Sequence, residues 1–92
     1  EAKEIQSLSK TVIKSLKKKE ISGVFLYSPR SARILCNVIE CLNLQKTSHG
    51  LVVYCLSSAV ANEVKSLIWK DVLIAQKPNN LEMLALVGEY NI

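Results

Sequence analysis

The sequence predicts an α/β domain built on a three-stranded parallel sheet with helices on both faces, and three observations carry that expectation. Apolar, β-prone runs at Val24–Tyr27, Leu51–Leu56 and Val72–Ala75 are short and largely unbroken by polar residues, as strands buried on both faces are. Each run is followed by apolar residues at helical spacing. The first two runs also end in serine at a predicted helix start, so the same strand, serine turn and helix unit occurs twice.

The chain opens with an amphipathic helix expected over Gln6–Lys19, with Leu8, Val12, Ile13 and Leu16 on one face and lysines elsewhere. Lys17-Lys18-Lys19 falls where that helix ends, a placement the dipole favours without any partner. Ser22-Gly23 breaks the helix and feeds the strand Val24–Tyr27. Ser28 suits the cap of the next helix, and Pro29 suits its first position, where a missing N–H costs nothing. Ile34, Leu35, Val38, Ile39 and Leu42 continue that helix to Leu42 or Leu44. A polar loop, Gln45–Gly50, leads to the second strand. Ser57-Ser58 then passes into a helix over Ala59–Leu67, with Val60, Val64, Leu67 and Ile68 on one face. After the strand Val72–Ala75, Asn79 and Glu82 have capping-box spacing, Leu81, Leu84, Ala85 and Val87 supply apolar faces, and Gly88 is expected to end the last helix.

Right-handed crossovers would bring both serine turns to one edge of the sheet. In open α/β sheets ligands sit beyond the carboxyl ends of the strands, where helix N-termini offer free N–H groups. Ser28–Ser31 and Ser57–Ala59 are therefore the expected anion sites. Arg30 in a first helical turn opposes the dipole, so it either points to solvent or meets an anion.

With 92 residues, 49% of them hydrophobic and 22% charged, the chain has the composition of one globular domain or part of a larger one. It starts at Glu1 with no Met and no signal pattern, which fits a processed piece or the ordered remainder of something longer. No apolar run approaches the about 20 residues of a membrane span, so a soluble chain without membrane partners is expected. Cys36, Cys41 and Cys55 are odd in number and show no pairing pattern, which fits reduced thiols in the cytoplasm. His49 is the sole histidine, stands far from any acidic or cysteine pair, and reads as a surface loop residue, so no metal site is expected. A net charge of +4 with few aromatics and no recognition module gives nucleic acid little support as a partner. Dinucleotide and P-loop glycine patterns are absent. A serine nucleophile at Ser28, Ser31 or Ser57 has no base within evident reach.

In order and spacing, GVFLYSPRSARIL, LVVYCLSSAVANEV and WKDVLIAQKPNNLEML resemble the C-terminal part of the uroporphyrinogen-III synthase family. The strongest motif, Ser28-Pro29-Arg30-Ser31-Ala32, is short, and the resemblance rests on three segments in register across nearly the whole chain. It implies that residues 1–92 form a single or partial α/β domain, half of a flavodoxin-like domain, and the C-terminal segment of a two-domain enzyme. The implied reaction closes the linear tetrapyrrole hydroxymethylbilane with loss of water and inversion of the last pyrrole ring, without a cofactor. The implied substrate-binding residues are Ser28, Pro29, Arg30, Ser31, Ala32, Ser57, Ser58 and Ala59. No catalytic residue is assigned, since the tyrosine often proposed as an acid in the family would precede Glu1. The family's frequent glycine and threonine in the second motif are replaced by Ser57 and Val60. The remaining partners would be the N-terminal part of the enzyme and, through an unpaired Val24–Tyr27 edge, a second copy of the chain. The alternative is a non-catalytic α/β module whose serine turns bind an anion or a partner protein.

Overall fold

A computed structural model describes the backbone of residues 2–5 and 10–90, and the side chains of residues 10–88. The elements are β1 (Ala2–Ile5), α1 (Lys10–Lys17), β2 (Gly23–Leu26), α2 (Pro29–Cys41), α3 (Gln45–Ser48), β3 (Val52–Cys55), α4 (Ser58–Asn62), β4 (Asp71–Ile74) and α5 (Asn80–Tyr90). The sheet is parallel throughout, in the order β1-β2-β3-β4. β2, β3 and β4 are the three expected strands, and the α/β architecture is that of part of a flavodoxin-like domain.

β1 is an addition. Ala2–Ile5 pairs in register with Gly23–Leu26, so the edge of Val24–Tyr27 expected to be open is occupied. Two copies could join through that edge only by displacing β1, because its N–H and C=O groups already have partners. The sheet's free edge among the described strands on the opposite side is β4, whose Val72 and Ile74 are partly exposed.

Sequential strand order with crossovers of one hand places the connecting helices on one face. There Leu16 of α1, Ala32, Leu35, Cys36 and Ile39 of α2, and Val60 and Ala61 of α4 pack on Val24, Leu26, Val53 and Cys55. Among the described residues α5 alone covers the other face, where Met83 and Leu86 meet Val52 and Tyr54, and Phe25 and Tyr27 pack alongside. The alternation within β2 and β3 divides each strand between two cores, which is why both read as continuous apolar runs. Phe25 and Tyr54 lie across the β2–β3 pair with ring centroids 5.2 Å apart.

The helix ends are specified by backbone geometry. Lys19 (φ 59°) follows α1, with Glu20 N–H donating to Ser15 C=O (3.0 Å) and Lys19 N–H to Leu16 C=O (3.1 Å). Asn43 (φ 55°) follows α2 in the same manner, with Leu44 N–H donating to Ile39 C=O (2.8 Å). Both are left-handed caps that satisfy orphan carbonyls, and Leu44 packs against the core that contains Ile39.

Several boundaries differ from the sequence reading. Residues 6–9, including Leu8, lie outside the described residues, and the expected loop Gln45–Gly50 holds the single turn α3. The helix expected over Ala59–Leu67 stops at Asn62 and continues as tight turns, with Glu63, Val64 and Leu67 N–H each donating to the carbonyl three residues back. Two side chains hold this unwound stretch: Trp69 Nε1–H donates to Val64 C=O and Ser48 Oγ–H to Ile68 C=O, both at 2.8 Å. Ile68 consequently leaves the apolar face and is 69% exposed. α5 runs through Gly88, and the face it turns to the sheet buries Met83 and Leu86 while Leu81 (77%) and Leu84 (52%) are exposed.

Candidate functional site

The carboxyl ends of β2 and β3 lie side by side, with Leu26 opposite Cys55 and Leu56 N–H donating to Leu26 C=O (3.0 Å). Two residues beyond each paired position, the chain turns into a helix through a serine. Both serines are extended (Ser28 φ −148°, Ser57 φ −154°) and both cap. The structure therefore brings the two expected segments to the same edge of the sheet.

At α2, Ser28 Oγ accepts the Ser31 N–H (3.1 Å), and Ser28 C=O accepts the Ala32 N–H (3.2 Å). The Ser31 side chain turns back to the same residue, 2.8 Å from Ser28 Oγ and 3.2 Å from Ser28 C=O. Ser31 and Ala32 are buried, so they build the turn and are not available to contact a ligand directly. Pro29 has no N–H. The Arg30 amide is thus the one first-turn donor of α2 without a partner among the described residues, and the Arg30 side chain is exposed at the same point.

At α4, Ser57 Oγ accepts the Val60 N–H at 3.4 Å, a longer and weaker cap. Ser57 C=O accepts the Ala61 N–H (3.1 Å), and Val60 is buried. Ser58 and Ala59 are exposed, and their amides make no hydrogen bond among the described residues. α4 spans five residues, so what it offers is two directed N–H groups with little macrodipole behind them. A hydrogen-bonding role for a side chain at position 60 is excluded by the residue itself, Val60, which packs into the core.

A third helix start adjoins these. Asn79 Oδ1 accepts the Glu82 N–H (2.9 Å), giving half of the expected capping box. The reciprocal bond is replaced, since the Asn79 N–H donates to Lys77 C=O at 2.8 Å. Tyr27 Oη–H donates to Asn80 Oδ1 at 2.6 Å and so ties the end of β2 to the start of α5. The sequence reading counted Tyr27 as the last residue of an apolar strand. Its hydroxyl at a strand's carboxyl end, facing an asparagine pair after β4, was the available signal.

Arg33 reaches Glu63 across α2 and α4 (3.4 Å), a solvent-exposed pair of small energetic value. Burial pushes the Cys36 thiol up to about 11, with Glu40 and Glu63 adding to the effect, and pushes Cys55 up to about 12. Both are buried free thiols held in the neutral form, and Cys41 is exposed. His49 is exposed at the end of α3. Among the described residues no group of His, Cys, Asp or Glu could hold a metal ion, and no helix is long and apolar enough to cross a membrane.

The site thus consists of an exposed arginine and three directed amides on adjacent turns. It can hold anionic oxygens and orient what carries them. Comparison with curated proteins returns no match, and comparison with solved structures returns none either. The family model described as uroporphyrinogen-III synthase HemD matches residues 1–85, which takes in every strand of the sheet and both serine turns. The chain belongs to the uroporphyrinogen-III synthase family.

Proposed function

We propose that this chain supplies one wall of the tetrapyrrole-binding cleft of a uroporphyrinogen-III synthase, with the Arg30, Ser58 and Ala59 amides and the Arg30 guanidinium receiving substrate carboxylates. The observation that carries this reading is the adjacency of two serine-capped helix starts whose remaining amides are open and exposed. The substrate of the family reaction, hydroxymethylbilane, bears acetate and propionate groups on every pyrrole ring. Two donor clusters on neighbouring turns suit a ligand with several carboxylates better than a single anion.

Binding by amides also fits the chemistry. Ring closure with inversion of one pyrrole demands that a flexible chain be held with its ends together, and positioning of that kind lowers the barrier entropically without a dedicated acid or base. Ser28, Ser31 and Ser57 then serve as positioning residues, because each fixes the turn that aims an amide. Pro29 and Ala32 set the first turn's backbone and its close packing on β2.

One wall does not close a cleft, so the 92-residue chain alone is expected to form no uroporphyrinogen III above the spontaneous background. The test is separation of the porphyrinogen isomers formed from hydroxymethylbilane, with the chain alone and in the context of the longer gene product. Isomer III from the longer product, reduced by Arg30→Ala, supports the reading. Isomer III from the chain alone would overturn the one-wall assignment, and a longer product inactive toward hydroxymethylbilane would favour the non-catalytic anion-binding module.

A further inference from the structure

The end of the sheet opposite the serine turns carries a cavity of about 260 Å³ lined by Lys19, Ile21, Ser22, Lys46, Thr47 and Gly50. Ile21 and Ser22 precede β2 and Gly50 precedes β3, so the cavity opens at the amino ends of the strands, separate from the proposed tetrapyrrole wall. None of its lining residues is acidic, and among the described residues neither Lys19 nor Lys46 makes an ion pair.

Thr47 distinguishes this cavity from a chance gathering of surface lysines. It is only 9% exposed, yet its hydroxyl makes no hydrogen bond to any described residue. Its neighbour Ser48, fully buried, has two acceptors for its hydroxyl, Gln45 C=O and Ile68 C=O, each at 2.8 Å. No side-chain oxygen among the described residues is both sealed from solvent and unpaired, so the Thr47 hydroxyl keeps access to solvent, and Thr47 is one of the residues that line the cavity. A hydroxyl without a protein partner can donate to an anion bound beside it. Lys19 adds a further sign. It occupies the left-handed position after α1 (φ 59°), where glycine would be free of strain, and is itself one of the residues that line the cavity.

We propose that this cavity binds the phosphate group of a small phosphate monoester. Two lysines match the charge of a phosphate monoester near neutral pH, which lies between −1.5 and −2. Lysines act as point charges suited to a tetrahedral oxyanion, whereas planar carboxylate recognition favours arginine. The Thr47 hydroxyl donates to a third oxygen. The carbonyl ends of α1 and α3 oppose an anion with partial charges only, which two full cations outweigh. The volume accommodates a phosphoryl group and a small substituent and is below the usual range for larger ligands.

The test is an amide chemical-shift titration of the 92-residue chain with methyl phosphate, inorganic phosphate and acetate at matched ionic strength and pH 7. Saturable shifts at Ser22, Thr47 and Gly50 are expected with both phosphates, with acetate at least tenfold weaker. Lys46→Gln and Lys19→Gly should each weaken phosphate binding tenfold or more, and Thr47→Val severalfold. Lys19→Gly relieves the left-handed strain, so its loss of binding cannot be assigned to unfolding. Shifts that rise linearly without saturation, equal affinity for acetate, or affinity unchanged in both lysine variants would each overturn the proposal. None of these outcomes bears on the amides of Arg30, Ser58 and Ala59, which report on the tetrapyrrole wall.

Discussion

Replacing Ser28 by alanine removes the acceptor of the Ser31 N–H (3.1 Å) and one of the two contacts of the Ser31 hydroxyl. Loss of an N-cap side chain costs about 1 kcal/mol, in a range of roughly 0.5–2. Ser31 is 3% exposed, so its freed N–H cannot readily recruit water, and this moves the cost toward the upper half of the range. The hydroxyl of Ser31 keeps its bond to Ser28 C=O (3.2 Å), which prevents a second full penalty. The sum is about 1.5 kcal/mol, built from the cap and a partial desolvation penalty. Ser57→Ala removes a longer bond (3.4 Å) from a five-residue helix and should cost about 0.5 kcal/mol, the low end for a cap. Urea unfolding followed by circular dichroism gives both values from midpoint shifts at a common slope. Equal losses at the two serines, or a loss at Ser28 below about 0.3 kcal/mol, would refute the claim that cap geometry sets the rigidity of this edge.

Four further outcomes follow from the same structure. Arg30→Ala, at an exposed first-turn position opposed by the dipole, should leave stability unchanged or raise it by about 0.3–1 kcal/mol, while weakening polycarboxylate binding measured by calorimetry. Lys19→Gly should stabilise the chain by about 1 kcal/mol in thermal unfolding, since the left-handed backbone penalty disappears. For Cys36 and Cys55 the folded values (about 11 and about 12) lie above the ordinary 9.0, so the folded state holds these protons where the unfolded state releases them. Their contribution is intact below pH 9 and is lost as pH rises from there toward 11–12, which unfolding measured from pH 8 to 11 should reveal. In the native chain at pH 8 a maleimide should label Cys41 first, and labelling of Cys36 or Cys55 at the same rate would contradict their burial.

The central architecture was legible because each strand run is buried on two sides and each serine turn follows it directly. What was hidden has physical causes. Ala2–Ile5 contains Lys3 and Glu4 and lacks an apolar run, so nothing local marks it as a strand, and only its pairing with Gly23–Leu26 reveals it. The early end of α4 depends on Trp69 and Ser48, which bond to carbonyls of the unwound stretch from beyond it in sequence. α5 is apolar on most of its circumference, and Leu81, Leu84, Met83 and Leu86 have comparable claims to the core by spacing alone. Both serines are readable as caps, whereas the use of Ser31's own N–H and hydroxyl within the turn depends on how the folded turn closes on Ser28. The Tyr27–Asn80 bond joins residues 53 apart in sequence, so the two polar groups are visible in the sequence but only the fold pairs them.

The most direct test of the tetrapyrrole wall is an amide chemical-shift titration of the chain with a uroporphyrin bearing its full set of acetate and propionate groups. Saturable shifts are expected to concentrate at Arg30, Ser58 and Ala59, with little change at Ser31, whose N–H is already bonded within the turn. Saturable shifts confined to other surfaces, or none at these three amides, would contradict the proposed wall.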